Sequence, residues 1–196
     1  MKEIIEDSLQ KAITYNEYRI LVKDLLAEGK STGPNQSDNL LNYSMLNDKR
    51  MNRLDKTSKL SEETISSVKK VQAPQTWLVL TESWCGDAAQ TLPVINKIAE
   101  LNSNINLRIV LRDENEALMD QFLTNGGRSI PKLIAVDGKN EVVNSWGPRP
   151  SIATKMVNAY KSEHGQLDAD FKKDLQIWYN KDKGANTQED ILSLFN

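Results

Sequence analysis

Over about the first seventy residues, hydrophobic side chains recur three or four positions apart, the spacing of helices that bury one face. Thr14 and Glu17 have the spacing of a capping box, so a second helix is predicted to begin near Tyr15. A third helix is predicted in NLLNYSMLNDKRMNRLDK, and a short fourth one follows Ser61, its expected cap. We interpret these stripes as packing surface, with partner binding as the lesser alternative.

After Pro74 the pattern changes to short apolar runs that alternate with amphipathic stretches. Continuous runs such as TWLVLT are typical of strands buried on both faces. A hairpin is predicted in PKLIAVDGKNEVVNSW, where Asp-Gly forms the turn. The predicted order is β-α-β-α-β-β-α, in which the stretch ENEALMDQFLTNGG is a helix capped by Asp113 and ended by its glycines.

This order predicts an α/β fold, a mixed sheet flanked by helices, with additional helices at both ends. We divide the chain into an N-terminal helical extension (1–73), an α/β domain (74–163) and a C-terminal helical tail (164–196).

Composition restricts the class of protein. The chain has 196 residues, of which 39% are hydrophobic, and a formal net charge of −2, which argues against a general nucleic-acid binder. No apolar run reaches the roughly 20 residues of a membrane helix, and the charged N-terminus does not resemble a signal peptide. We therefore expect a cytoplasmic protein that does not contact membranes.

Cys85 is the only cysteine, so an intramolecular disulfide is excluded, and one cysteine with one histidine makes a metal site improbable. Cys85 follows a predicted strand and precedes a predicted helix. The unpaired N–H groups of a helix N-terminus favour a thiolate, so the pKa of Cys85 is predicted to be lowered. The carboxylate of Asp87 is expected to raise the pKa of Cys85, because it repels a nearby thiolate. The alternative is that Cys85 is simply a small buried hydrophobic residue.

Three motifs in this order resemble the thioredoxin superfamily. WCGDA stands where that family has Trp-Cys-Gly-Pro-Cys, and RSIPKL resembles its Arg-Gly-Ile-Pro-Thr-Leu segment. Pro93 matches the proline that kinks the family's active-site helix. The resemblance covers roughly 74–163. The combination of WCGD, LRDEN, GGRSIPKL and WGPRP is also similar to a bacterial thioredoxin-like group with a helical N-terminal extension.

The resemblance implies a thioredoxin fold with Cys85 as the catalytic residue and a cis peptide bond before Pro131. The remaining residues assigned to binding are Trp84, Gly86, Asp87, Arg128, Ile130 and Arg149. Two positions differ from the family pattern in ways that affect the expected chemistry. Ala88 replaces the second cysteine, and Val79 replaces the buried carboxylate that relays protons, so ordinary dithiol turnover is not expected.

Two hypotheses about function therefore remain open. The first is a monothiol oxidoreductase or redox sensor, whose partner is a protein thiol or disulfide or a small thiol such as glutathione. The second is a non-catalytic module that binds an extended peptide or a small ligand. No cofactor is expected under either hypothesis. A homodimer is expected if the chain does not cover its own hydrophobic stripes.

Overall fold

The computed structural model describes residues 1–195. Thirteen helices and strands occur in this range, apart from short 3₁₀ turns. They are α1 (Lys2–Lys11), α2 (Tyr15–Ala27), α3 (Asp38–Thr57), α4 (Glu62–Val68), β1 (Gln75–Thr81), α5 (Gly86–Ala99), β2 (Ile105–Leu111), α6 (Glu116–Met119), β3 (Lys132–Asp137), β4 (Val142–Trp146), α7 (Ser151–His164), α8 (Ala169–Asp182) and α9 (Ala185–Leu192).

The four strands form one mixed sheet in the order β2-β1-β3-β4. Strand β1 pairs in parallel with β2 and antiparallel with β3, which is joined to β4 as a hairpin. The central strand β1 is covered on both faces, because Trp77, Leu78, Val79 and Leu80 are all completely buried. The loop that carries Trp84 and Cys85 follows directly after this buried strand.

The N-terminal helices pack onto the sheet and onto α5. Helix α2 begins at the capping box formed by Thr14 and Glu17, and Ser61 caps α4. Ile13 forms an isolated bridge with Ile109 of β2, and Tyr18 of α2 is almost completely buried in the main hydrophobic core. The core is thus continuous across position 73, and the three-part division of the chain remains a prediction.

The prediction of one helix over ENEALMDQFLTNGG is largely wrong, because only the four residues of α6 in this segment are α-helical. Asp113 does not cap it. Asp113 lies in a 3₁₀ turn (Arg112–Glu114) and pairs with Arg112 at 2.7 Å. The chain leaves the helix to form a tight turn, closed by two hydrogen bonds between Thr124 and Gly127. The turn has positive φ angles at 125 and 126, which an Asn-Gly pair adopts readily.

The C-terminal helices form a smaller second core. Phe171, Leu175 and Tyr179 of α8 pack against Ala153 and Val157 of α7. This places α8 beside the N-terminus of α5, where it forms one wall of the cleft described below.

Candidate functional site

The Cys85 thiol lies between the start of α5 and the loop before β3. Cys85 is the N-cap residue of α5, and its Sγ accepts a hydrogen bond from the backbone N–H of Ala88 at 3.4 Å. The S–H group faces the other way and donates to the carbonyl oxygen of Ile130 at 3.2 Å. The peptide bond between Ile130 and Pro131 is cis. The thiol therefore bridges the two loops that carry the motifs of the sequence.

The sequence-based expectation of a lowered pKa for Cys85 is not what the structure indicates. Cys85 is only 8% exposed, and burial raises the pKa of its thiol to about 12. The carboxylate of Asp87 raises this pKa further, and the N–H groups of Ala88 and Asp87 lower it. Because loss of solvation outweighs the effect of the helix terminus, the thiol is protonated at neutral pH.

Asp87 is the acidic centre of the site. Its Oδ2 lies 2.7 Å from Nε of Arg149, and its Oδ1 accepts a hydrogen bond from the Tyr179 hydroxyl at 2.9 Å. Burial raises the pKa of Asp87, although both partners act to lower it. Arg149 is held on a loop in which the Gly147–Pro148 peptide bond is cis. A carboxylate next to the cysteine is thus bound by residues from two distant parts of the chain.

A cleft of about 720 Å³ opens over Cys85. The structure brings seven of the eight site residues from the sequence to this cleft: Trp84, Cys85, Gly86, Asp87, Arg128, Ile130 and Arg149. Pro131 is buried and does not line the cleft. The two motifs and the Arg149 loop thus share one surface.

Two of these residues have partners that the sequence did not indicate. The Arg128 guanidinium pairs with Glu116 at 2.8 Å and with Asp120 at 2.7 Å, so its charge is largely compensated. The ring of Trp84 lies under Arg112, with the guanidinium carbon 4.7 Å from the ring centroid.

Sequence reasoning missed the walls of the cleft, which come from α3 and α8. Helix α3 contributes Tyr43 and Arg50, and α8 contributes Lys172, Lys173 and Gln176. The hydrophobic stripes of both helices were recognisable in the sequence. Their polar residues gave no indication of the site, since they approach Cys85 only through tertiary packing.

A buried polar network fixes α3 to the loop that carries Cys85. The Ser83 hydroxyl is hydrogen-bonded to Ser44 at 2.7 Å and accepts the backbone N–H of Thr32 at 3.0 Å. Asn47 of α3 donates to the Ser83 carbonyl at 2.9 Å. All four residues are at most 5% exposed. The extension is therefore a structural part of the site.

A carboxylate is also buried close to the site, although the proton-relay position itself is Val79. Glu82 follows β1, is completely buried, and accepts the backbone N–H of Asp113 at 3.0 Å. Burial raises the pKa of Glu82. Among the residues that the structure describes, no three histidine, cysteine, aspartate or glutamate side chains cluster as metal ligands would. Within 1–195, none of the helices combines the length and apolar character needed to cross a bilayer.

Comparison with known proteins agrees with the fold. A family model described as "Thioredoxin" matches residues 33–162, about two thirds of the chain. The chain belongs to the thioredoxin superfamily. The match begins ahead of α3, so it includes two of the N-terminal helices as well as the sheet.

Two solved structures share the fold. A protein of unknown function, PA1234, from Pseudomonas aeruginosa is 16% identical with a TM-score of 0.58, over 93% of this chain and 97% of that one. An HIV epitope-scaffold protein is also 16% identical with a TM-score of 0.58, over 93% of this chain and 98% of that one. No curated protein matches the chain significantly. At this identity, the likeness supports the thioredoxin-like fold together with helices at both ends.

Proposed function

We propose that this thioredoxin-fold protein binds an extended peptide in the cleft over Cys85, without needing chemistry at the thiol. The observation that carries the proposal is the state of Cys85. Its thiol is buried, protonated at neutral pH and hydrogen-bonded to Ile130, while the cleft beside it stays open. The thiolate is the nucleophilic form of cysteine, so this arrangement favours binding over attack.

Backbone geometry supports an extended ligand. Residues 129–131 enter no strand pairing within the described part of the chain, and they lie beside the cleft at the start of β3. The N–H of Ile130 donates no hydrogen bond within that part of the chain, and we assign it to pairing with a peptide backbone. Trp84 and the half-exposed Tyr43 supply flat apolar surface for side chains.

A defined panel of fluorescent decapeptides without cysteine tests this proposal. We expect some of them to bind with micromolar affinity, and to bind equally well to the Cys85→Ser variant. Trp84→Ala should weaken binding, with thermal unfolding measured to confirm that each variant is folded. If every bound peptide requires both a cysteine of its own and Cys85, the protein is acting through its thiol and the proposal is wrong.

Monothiol exchange is the second candidate, and the helix-terminal hydrogen bond from Ala88 to Sγ favours it. In that reaction the Cys85 thiolate attacks one sulfur of a disulfide, forms a mixed disulfide and expels the other sulfur as a thiolate. An external thiol such as glutathione must then attack the mixed disulfide, which restores Cys85. A mixed disulfide that accumulates rapidly with oxidised glutathione at neutral pH, seen by mass spectrometry, would support this candidate.

A further inference from the structure

The cleft has an excess of positive charge. Six basic side chains line it, and Asp87 is the single acidic one among the described residues that do so. The six are Arg50, Arg112, Arg128, Arg149, Lys172 and Lys173. The whole chain has a formal net charge of −2, so this concentration is local to the cleft.

Three of the six basic side chains form ion pairs within the described part of the chain, and three do not. Each of the three arginines after position 100 pairs with a carboxylate at 2.7 Å. Arg50, Lys172 and Lys173 make no ion pair within residues 1–195. Arg50 belongs to α3 and the two lysines to α8, so the basic side chains without an ion pair come from two different walls of the cleft.

Two N–H donors from these walls converge beside Gly86, next to the cysteine. A Cβ atom added to Gly86 would lie 3.6 Å from Nη1 of Arg50 and 3.7 Å from Nε2 of Gln176. The Gln176 oxygen already accepts a hydrogen bond from Gln90 at 2.9 Å, which fixes the orientation of the amide. A ligand oxygen beside Gly86 would therefore meet donors from both α3 and α8.

We propose that the cleft selects acidic extended peptides, with one carboxylate bound between Arg50 and Gln176 beside Gly86. This inference rests on the proposed function and specifies its ligand. Lys172 and Lys173 attract further carboxylates at the mouth of the cleft. A planar guanidinium suits a carboxylate, and a cleft of about 720 Å³ accommodates a few residues of peptide.

Nucleic acid fits this cleft less well than a peptide does. A polyanionic strand extends beyond the cleft and meets the remaining surface of a protein whose net charge is −2. The free backbone N–H of Ile130 suits pairing with another polypeptide backbone. Acidic peptide is thus the occupant favoured by both charge and backbone geometry.

The test uses the full chain and one labelled decapeptide sequence in three forms. The variable positions carry Asp and Glu, their amides Asn and Gln, or Lys, and affinity is measured by fluorescence anisotropy. We expect the acidic form to bind at least about tenfold more tightly than the amide form, and the Lys form not to bind. Salt should weaken binding of the acidic form selectively.

Arg50→Gln should reduce affinity for the acidic peptide about tenfold and leave the amide form unaffected. Lys49→Gln is the matched control, because Lys49 is also a basic residue of α3 but does not line the cleft. Equal binding of all three forms would overturn the acidic selectivity and leave peptide binding intact. Failure of every peptide would contradict the proposed function as well. Displacement of the acidic peptide by a single-stranded oligonucleotide at equal concentration would identify nucleic acid as the ligand instead.

Discussion

Replacing Tyr179 with phenylalanine tests whether the C-terminal tail stabilises the cysteine site. The Tyr179 hydroxyl donates to Oδ1 of Asp87 at 2.9 Å, and the Asp87 side chain is 11% exposed. Phenylalanine keeps the ring and removes only the donor. A hydrogen bond to a charged group contributes about 1.5–3 kcal/mol, so this variant should lose about that much free energy of unfolding. For a chain of this length, the melting temperature should fall by about 3–12 °C.

The free energy of unfolding that Tyr179→Phe loses should increase with pH. Burial raises the pKa of Asp87 in the folded protein above its value in the unfolded chain. A carboxyl whose pKa is raised by folding contributes most to the free energy of unfolding when pH is below its pKa in the unfolded chain. This contribution is lost as pH rises through its pKa in the folded protein. The Tyr179 hydroxyl counteracts the loss by stabilising the charged form. The difference between wild type and Tyr179→Phe should therefore grow as pH rises through the folded pKa of Asp87.

The assay is urea unfolding followed by circular dichroism at several pH values. Tyr160→Phe is the matched control, because the Tyr160 hydroxyl donates to Asp168 at an exposed position on the neighbouring helices. The control should unfold nearly as the wild type does. If both variants lose the same stability, or if Tyr179→Phe loses none, the buried contact with Asp87 does not hold the tail to the site.

Three further variants test other parts of the structure. Ala88→Cys should form a disulfide with Cys85 under mild oxidation, seen as a loss of two hydrogens by mass spectrometry, yet reduce insulin only slowly; absence of the disulfide would mean that this loop does not have dithiol geometry. The stability of Glu82→Gln relative to wild type should increase as pH rises through the folded pKa of Glu82, because burial raises that pKa and the wild-type carboxyl then becomes charged in the core. A stability difference that does not change with pH would show that burial does not raise the pKa of Glu82. Gly147→Ala should destabilise the fold by at least about 2 kcal/mol, because the φ angle of Gly147 is 112° and an added Cβ would overlap the carbonyl oxygen of Pro131. Gly138→Ala is its control, since a Cβ there meets nothing within 4 Å, and equal losses in the two variants would contradict the overlap.

Local features of the fold were predictable from the sequence. The capping box at Thr14 and Glu17, the Ser61 cap and the hairpin of β3 and β4 all depend on interactions within a few residues. The strand β1 was recognisable because burial on both faces leaves a continuous apolar run. The end of the helix after β2 was not predictable in this way, because the helical spacing of hydrophobic residues continues past Met119 toward the turn at Asn125.

The candidate site was only partly predictable for a physical reason. Cys85, Asp87 and Arg149 lie in short motifs, whereas Tyr179 reaches Asp87 across 92 positions of sequence. The expectation for the thiol failed because the effect of a helix terminus is visible in sequence, and burial by distant segments is not. Once packing is known, desolvation is the dominant influence on the pKa of Cys85.

The rate of Cys85 alkylation as a function of pH distinguishes a protein that binds peptides beside an inert thiol from one that reacts through Cys85. Wild type is treated with iodoacetamide from about pH 6 to pH 10, and Cys85→Ser gives the background. With the pKa of the thiol raised to about 12, the rate should be far below that of free cysteine at neutral pH and should still be rising at the alkaline limit. A rate that reaches its plateau near pH 6 or 7 would show a stabilised thiolate. That result would contradict the binding account and favour monothiol exchange.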